Sequence, residues 1–221
     1  MAIYVGDKRY APYIGDKRRR YMGGGASLPY DAEIEYLRGT GTQYIDSGIE
    51  CTGDLSVSFK ARFSKNENAS FMGGIYNYGT SIFRHHFTPW NWNLFYWLQN
   101  DNDYSNIPLS YSLNTWYTID IDASNGTYNI NGTTGTFTPV SGSLTAQANY
   151  GIFGRLSGNV ATQTRTGNND IAFVQLSKNG ILLRDFIPVR KGSVGYLYDK
   201  VSGTLFGNAG TGSFTLGPDK T

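Results

Sequence analysis

The stretch LSVSFKARF, residues 55–63, alternates apolar and polar side chains without a break. Because successive side chains of a strand point to opposite faces, this pattern predicts a β-strand with one buried face and one solvated face. Further along the chain, the tetrapeptide Lys178-Asn179-Gly180-Ile181 lies between two apolar segments. Asn-Gly accepts the positive φ angles of a type I′ turn, so this tetrapeptide predicts a tight hairpin. Both signals indicate antiparallel sheet.

The composition of the whole chain agrees with these two segments. The 221 residues include 28 glycines and 15% aromatic residues, but only 16% are charged. This composition disfavours a helical bundle, and a hydrophobic content of 39% with a net charge of +2 disfavours disorder. We therefore predict an all-β antiparallel sandwich of a dozen or more strands. The predicted strands are 32–37, 42–49, 55–63, 71–76, 80–87, 91–98, 116–121, 127–131, 135–138, 150–155, 171–176, 181–189, 194–198, 204–206 and 213–216.

The N-terminal residues form a short basic repeat. YVGDKR at 4–9 recurs as YIGDKR at 13–18, and YMGG at 21–24 resembles a third copy. Residues 1–25 carry six basic and two acidic side chains, a net charge of +4, whereas the other residues carry 13 basic and 15 acidic, a net charge of −2. We predict a basic arm with a glycine-rich linker over 1–27 and one folded domain over 28–221.

Each repeat unit is too short to bury a face alone, so we expect the arm to pair with the body or with another chain. A docking strand or solvated tether is favoured over a nucleic-acid-binding arm. The residues expected to anchor the arm are Tyr4, Lys8, Arg9, Tyr13, Lys17, Arg18, Arg19 and Arg20.

Several motifs between residues 33 and 217 resemble a known family. They are EYL (35–37), TGTQYIDSGI (40–49), NTWYTI (114–119), RDFIPVR (184–190), GYLYD (195–199) and FGNAGTG (206–212). They are similar to the concanavalin A-like, laminin-G-like jelly rolls of gut Bacteroides and their phages. The resemblance implies a concanavalin A-like jelly-roll sandwich, a fold that hosts lectins, glycosidases and structural modules alike.

The repeated arm also resembles N-terminal segments of phage structural proteins. The two resemblances together imply a non-enzymatic virion protein that decorates a capsid, fibre or tail. Its partners would be other virion proteins and sister subunits, bound through residues 1–27, and its outward jelly roll would bind host or mucosal glycans. Residues 1–20 lack the apolar core of a signal peptide, and no run approaches the ~18 apolar residues of a membrane helix. We therefore expect cytoplasmic synthesis and no membrane partner.

An aromatic segment at 84–97 contains three of the four tryptophans. A single strand through it would place Trp90, Trp92, Leu94 and Tyr96 on one face. Flat rings can stack on a sugar while polar groups nearby bond its hydroxyls. The predicted glycan contacts are Arg84, His86, Trp90, Trp92 and Tyr96. The alternative is that the rings fill the sandwich or a subunit interface.

Catalytic carboxylates are sparse. Alternation in the strand 116–121 places Trp116, Thr118 and Asp120 on one face and Tyr117, Ile119 and Ile121 on the other. Asp120 and Asp122 share one strand face, but the Glu-x-Asp-x-x-Glu pattern of glycosidases with this fold is missing its glutamates. We predict no catalytic residue. A polysaccharide-acting glycoside hydrolase using Asp120 or Asp122 and a bacterial carbohydrate-binding module remain the alternatives.

The sequence predicts no cofactor and no transition-metal site. His85 and His86 are adjacent, so on a strand they point to opposite faces and cannot chelate one ion as a pair. Structural calcium at Asp101, Asp103 and Asp170 stays open, against the alternative of solvated turn acids. Cys51 is the single cysteine, and we expect it to be a buried structural residue.

Overall fold

The computed structural model describes residues 3–5, 8–10, 27–66, 70–78, 81–90, 93–100, 103–139, 145–157, 162–166 and 168–221. None of these residues is helical. The strands are β1 (Ile3–Val5), β2 (Lys8–Tyr10), β3 (Ala32–Glu33), β4 (Leu37–Arg38), β5 (Ile45–Thr52), β6 (Leu55–Phe63), β7 (Met72–Tyr78), β8 (Ser81–Trp90), β9 (Asn93–Asn100), β10 (Asp103–Ser110), β11 (Trp116–Asp122), β12 (Thr127–Ile130), β13 (Thr133–Thr136), β14 (Thr145–Ile152), β15 (Gly154–Ser157), β16 (Thr162–Thr166), β17 (Asn169–Lys178), β18 (Ile181–Lys191), β19 (Val194–Asp199), β20 (Thr204–Phe206) and β21 (Thr215–Leu216).

Two large sheets make up the body. The first, the β8 sheet, has the order β10-β9-β8-β7-β14-β5, with β15 and β16 joined to it at β7. The second, the β6 sheet, has the order β13-β12-β11-β6-β17-β18-β19-β20, with β3, β4 and β21 attached. Of the pairings described, all are antiparallel except that between β7 and β15. The prediction of an all-β antiparallel sandwich is confirmed, and the concanavalin A-like jelly roll stays what the resemblance implies.

The core lies between the two sheets and follows the alternation of residues 55–63. Leu55, Val57, Phe59, Ala61 and Phe63 are all buried, whereas the residues between them are partly exposed. The Phe59 ring meets Phe87 of the opposite sheet edge-on, with 4.8 Å between ring centroids. Edge-on ring pairs of this kind add to the hydrophobic stabilisation of the buried area, so they hold the two sheets together.

The hairpin between β17 and β18 forms as predicted. Lys178 pairs with Ile181, and the two residues between them have φ angles of 52° at Asn179 and 75° at Gly180. Positive φ at both central positions defines the type I′ turn, which matches the right-handed twist of the flanking strands.

Some strand boundaries differ from the prediction. The predicted strand 150–155 is broken at Phe153, whose φ angle is 65°. This conformation is costly for a residue with a side chain, but the Phe153 ring is buried against Phe214 at 4.7 Å. Strand β10 was not predicted because it contains Asp103 and Pro108. Proline is tolerated there because β10 is the last strand of the β8 sheet.

The first repeat unit forms a separate hairpin, in which Tyr4 pairs with Arg9. The side chains of Tyr4, Lys8 and Arg9 lie outside the described part of the chain, as do the whole residues Tyr13, Lys17, Arg18, Arg19 and Arg20. The anchoring role of these residues and the domain boundary at residue 27 therefore stay predictions. In the described segments there is no helix long and apolar enough to span a membrane.

Candidate functional site

The aromatic segment 84–97 is divided between two strands. Strand β8 ends at Trp90, and β9 returns antiparallel from Asn93, so Trp90 pairs with Asn93 and Phe87 pairs with Tyr96. The prediction that Trp90 and Tyr96 share the face of one strand is therefore wrong. Trp92 and the side chain of Trp90 lie outside the described residues.

Tyr96 belongs to the core. Its side chain is fully buried, and its ring lies 4.9 Å from that of Phe87 and 5.7 Å from that of Phe137. Directly paired residues point to the same face of a sheet, so Tyr96 points into the core as its buried partner Phe87 does. The prediction of Tyr96 as a glycan contact is wrong for this reason.

The two histidines point to opposite faces, as predicted. His85 is fully buried, with Nδ1 2.9 Å from the carbonyl oxygen of Thr52 and Nε2 3.3 Å from Oη of Tyr96. A carbonyl oxygen only accepts, so Nδ1 carries the proton and Nε2 accepts from the Tyr96 hydroxyl. Burial lowers the pKa of His85 to about 4, which keeps the ring neutral.

The prediction for Cys51 is also confirmed. It is a free, fully buried thiol, and its Sγ donates to the carbonyl oxygen of His85. Burial raises the pKa of Cys51 far above its usual range, so the group is a structural thiol and not a nucleophile.

Arg84 and His86 lie on the outer face of β8. His86 is 4% exposed, and its Nε2 accepts from Nη1 of Arg155 at 3.3 Å, while Arg84 is half-buried. Of the five predicted glycan contacts, these two lie on a sheet face directed away from the core. His86, however, offers a ligand very little surface.

A more open surface lies on the outer face of the β6 sheet. There β6 and β11 run side by side, and Arg62 pairs with Trp116, Lys60 with Thr118, and Ser58 with Asp120. This face has two parts. We call the side chains of Tyr36, Arg38, Lys60, Arg62 and Trp116 the cation–aromatic platform, and the depression around Asp120 and Asp122 the acidic groove.

The platform is built around Arg62. Its guanidinium carbon lies 4.7 Å from the centroid of the Trp116 ring and 5.1 Å from that of Tyr36. Lys60 Nζ lies 5.6 Å from the Trp116 ring, and Arg38 lies 5.5 Å from the Tyr36 ring. All five side chains are partly exposed. The platform therefore offers solvent two aromatic rings held in place by cations.

Asp170 fixes the two arginines from beneath. Its side chain is 2% exposed, and it accepts from Nε and Nη2 of both Arg38 and Arg62, at distances between 2.5 and 2.9 Å. Such charge-assisted, two-point contacts set the orientation of each guanidinium plane. The platform and Asp170 together carry three positive charges and one negative charge.

This arrangement corrects the calcium hypothesis at Asp170. The residue lies in strand β17 and not in a turn, and its carboxylate is occupied by the two guanidinium groups. Asp101 lies outside the described residues, and Asp103 begins β10 with its side chain outside them. Across the described ranges no group of three or more His, Cys, Asp or Glu side chains could hold a metal ion.

The acidic groove has a volume of about 460 Å³. Ser58 Oγ donates to Asp120 Oδ1 at 2.5 Å, and Asp122 accepts from Ser56 Oγ and from both the backbone and side-chain nitrogens of Asn125. The remaining polar lining comes from Ser124, Gln175, Ser177 and Asn179. The groove thus presents carboxylates, amides and hydroxyls, the groups that bond sugar hydroxyls.

The ionisation of Asp122 argues against a role as general acid. Burial alone would raise its pKa, but the hydrogen bonds from Asn125 and Ser56 outweigh burial and lower it. A glycosidase needs one carboxyl group whose pKa is raised so that it can protonate the leaving oxygen. Asp122 is shifted in the opposite direction.

Sequence reasoning had placed Trp116 and Asp120 on one strand face, opposite Ile119 and Ile121, and burial confirms it. The sequence did not predict that Tyr36, Arg38 and Asp170 lie close to these two residues. The sequence did contain one signal for this site, a tryptophan on the same strand face as Thr118 and Asp120. A large aromatic ring on the polar face of a strand is unusual and therefore informative.

Comparisons with known proteins add a distant structural likeness to these observations. No family model matches the chain, and no curated protein matches it. Among solved structures, a protein from Bacteroides ovatus that has been proposed to bind carbohydrate is similar, with a TM-score of 0.49 and 12% identity. The match covers 86% of this chain and 61% of that protein, so this chain spans about three fifths of its length. The assignment of a site depends on the chain's own residues.

Proposed function

We propose that this protein is a non-enzymatic carbohydrate-binding protein whose sugar site is the outer face of the β6 sheet. The observation that carries the proposal is the cation–aromatic platform, where Trp116 and Tyr36 are partly exposed on a largely polar sheet face. The C–H face of a pyranose stacks on such rings, which bury apolar area without losing much side-chain freedom.

The acidic groove continues the platform along β11. Trp116 and Asp122 are six positions apart on the strand, which corresponds to about 20 Å at the usual rise of a strand. Side chains at alternate positions point to the same face, so Trp116, Thr118, Asp120 and Asp122 line one track. An extended oligosaccharide fits this track, with a ring stacked at Trp116 and hydroxyls bonded in the groove.

Glycan binding by Trp116→Ala tests the proposal directly. On an array of host and mucosal polysaccharides, we expect the wild type to bind and the variant to lose about tenfold in affinity, which corresponds to about 1.4 kcal/mol. The matched control is Tyr30→Ala, which removes a partly exposed ring that contacts Tyr198 at 5.0 Å, away from the platform. Equal binding by wild type and Trp116→Ala would exclude this face as the site.

A polysaccharide hydrolase is the rival reading, since Asp120 and Asp122 share one groove. We expect no release of reducing ends from any polysaccharide that binds. Hydrolysis by the wild type that disappears in Asp120→Asn, with binding retained, would establish the enzyme instead.

The proposal extends to where the protein acts. In a phage particle, residues 1–27 anchor the chain to other virion proteins or sister subunits, and the sandwich faces outward to meet glycans. The support is the nine-residue basic repeat, whose first unit forms the hairpin β1–β2. A bacterial adhesive module outside any phage is the alternative.

Assembly of the full chain tests the anchoring role. We expect sedimentation to show larger assemblies for the wild type than for a variant with Lys8, Arg9, Lys17 and Arg18 all replaced by Ser. Mass spectrometry of purified phage particles should also detect the protein. A monomeric wild type that is absent from the particles would refute the virion role and leave the sugar site standing.

A further inference from the structure

We infer that the platform binds an acidic sugar, with a carboxylate or sulfate against Arg62 and Lys60, and that the acidic groove binds a neutral sugar next to it. This inference rests on the proposed function and adds the chemical class of the ligand. It follows from charge and geometry at the two ends of the track.

The platform retains positive charge after its internal pairing. Asp170 offsets one of the three cations, which leaves a net charge of +2. No ion pair among the described residues includes Lys60, whose contact is with the face of the Trp116 ring. An exposed pair of charges beside stacking rings is suited to a sugar that carries an anion.

The arginines have donors left for such an anion. Their bonds to Asp170 use Nε and Nη2 of each guanidinium, and of the described residues none accepts from Nη1 of Arg38 or Arg62. Each guanidinium also lies against an aromatic ring, so its orientation is fixed before a ligand arrives. Preorganised donors lose little side-chain entropy on binding, which favours affinity.

The opposite end of the track rejects anions. Asp120 and Asp122 line the groove, and Asp120 lies four positions from Trp116 on β11, or about 13 Å. This separation exceeds the Debye length of ~8 Å at physiological ionic strength, so Asp120 has little effect on an anion held at Arg62 beside Trp116, whereas Lys60, which pairs with Thr118, lies between the two ends. A polymer with an acid on every ring would place a carboxylate beside Asp120. The favoured ligand therefore alternates acidic and neutral sugars.

Matched pairs of polysaccharides test the inference. Hyaluronan and unsulfated chondroitin alternate acidic and neutral rings, whereas polygalacturonate carries an acid on every ring. Each is compared with its carboxyl-reduced counterpart by calorimetry. We expect an alternating acidic polymer to bind at least tenfold more tightly than its neutralised form and than polygalacturonate. Its affinity should fall as NaCl rises from 50 to 300 mM, because the contact is ionic.

Lys60→Gln assigns the effect to the platform. We expect it to weaken binding of the acidic polymer severalfold more than it weakens binding of the neutralised form. The matched control is Lys191→Gln, which removes an exposed cation at the end of β18 and should change neither.

The outcomes distinguish a failure of the acidic-sugar inference from a failure of the proposed carbohydrate-binding function. Equal affinity for acidic and neutralised polymers, or an acid preference that survives Lys60→Gln, would overturn the inference and leave carbohydrate binding intact. Tightest binding to polygalacturonate would refute the neutral subsite in the groove. Binding to none of the acidic or neutralised polymers and to nothing on the glycan array would remove the proposed function together with the inference.

Discussion

Two aromatic regions of the molecule face in opposite directions. Along β8 and β9, the rings of Phe87 and Tyr96 point into the sandwich and contact other rings. At the platform, Tyr36 and Trp116 lie on the outer face and contact cations. The first region has far more aromatic residues, yet the second is the better candidate for a binding surface. The polarity of the strand face around a ring is therefore more informative than the number of rings in a segment.

The largest expected effect belongs to the inner region. Phe87 contacts Phe59, Phe71 and Tyr96, and it is fully buried. We expect Phe87→Ala to lower the free energy of unfolding by about 3–5 kcal/mol, because it leaves a cavity between the sheets. Denaturant unfolding measures this loss. A change below about 1 kcal/mol would mean that these rings do not form the core.

His85 should make the inner region sensitive to pH. Its pKa is about 4 in the folded protein and about 6.5 when unfolded, so below pH 6.5 the unfolded chain takes up a proton that the folded chain does not. The contribution of neutral His85 to the free energy of unfolding is therefore fully present above pH 6.5. The free energy of unfolding falls by up to about 3 kcal/mol as the pH approaches 4.

The measurement is thermal or denaturant unfolding of wild type and His85→Gln at several values between pH 7 and pH 4. The variant can still donate to Thr52 and meet Tyr96, but it has no titrating ring. We expect its stability to vary less over this range. Parallel pH dependence in the two proteins would show that His85 is not the group responsible.

Asp170 connects the platform to the rest of the fold. We expect Asp170→Asn to lower stability by about 2 kcal/mol, because an amide cannot neutralise two guanidinium groups that already face it. The cost is below that of a fully buried pair because Arg38 and Arg62 are 36% and 22% exposed. The matched control is Asp219→Asn, which breaks the surface pair with Arg190 and should cause no measurable loss.

The smallest expected change in stability is at Trp116, where the effect on binding should be largest. The ring lies on the outer face and is partly exposed, so Trp116→Ala should lower the free energy of unfolding by less than about 1 kcal/mol. Denaturant unfolding alongside the glycan array separates the two effects. A loss of several kcal/mol would place Trp116 with the structural rings and remove the contrast between the two regions.

Local patterns made much of the fold predictable. The strand Leu55–Phe63 and its buried residues follow directly from alternation, and the turn at Asn179 follows from its dipeptide. Phe153 could not be predicted, because its positive φ is held by a contact with Phe214 that is distant in sequence. The predicted strands 80–87 and 91–98 put the break at 88–90, but the chain returns between Trp90 and Asn93, where no Gly or Asn-Gly marks a turn, and this is why the face of Tyr96 was assigned wrongly.

The candidate site was less accessible to sequence reasoning because it is assembled across the chain. Arg38 and Asp170 are 132 positions apart, and Arg62 and Asp170 are 108 apart. Only residues of one segment, such as Tyr36 and Arg38 or Trp116 and Asp120, are near each other in sequence, and the shared face of Trp116 and Asp120 was predicted correctly. Cross-strand pairing brings the other residues of the site together. The order of the strands in the sheet creates these pairs, and no local segment of the sequence predicts that order.

The burial of Cys51 has a practical consequence. It is the only thiol of the chain, and it lies in the sandwich beside His85 and Tyr150. A thiol reagent can reach it only when the two sheets separate, so the rate of labelling reports how often the native protein opens. Labelling of Cys51 therefore measures the opening rate of the native sandwich without an engineered cysteine and without denaturant.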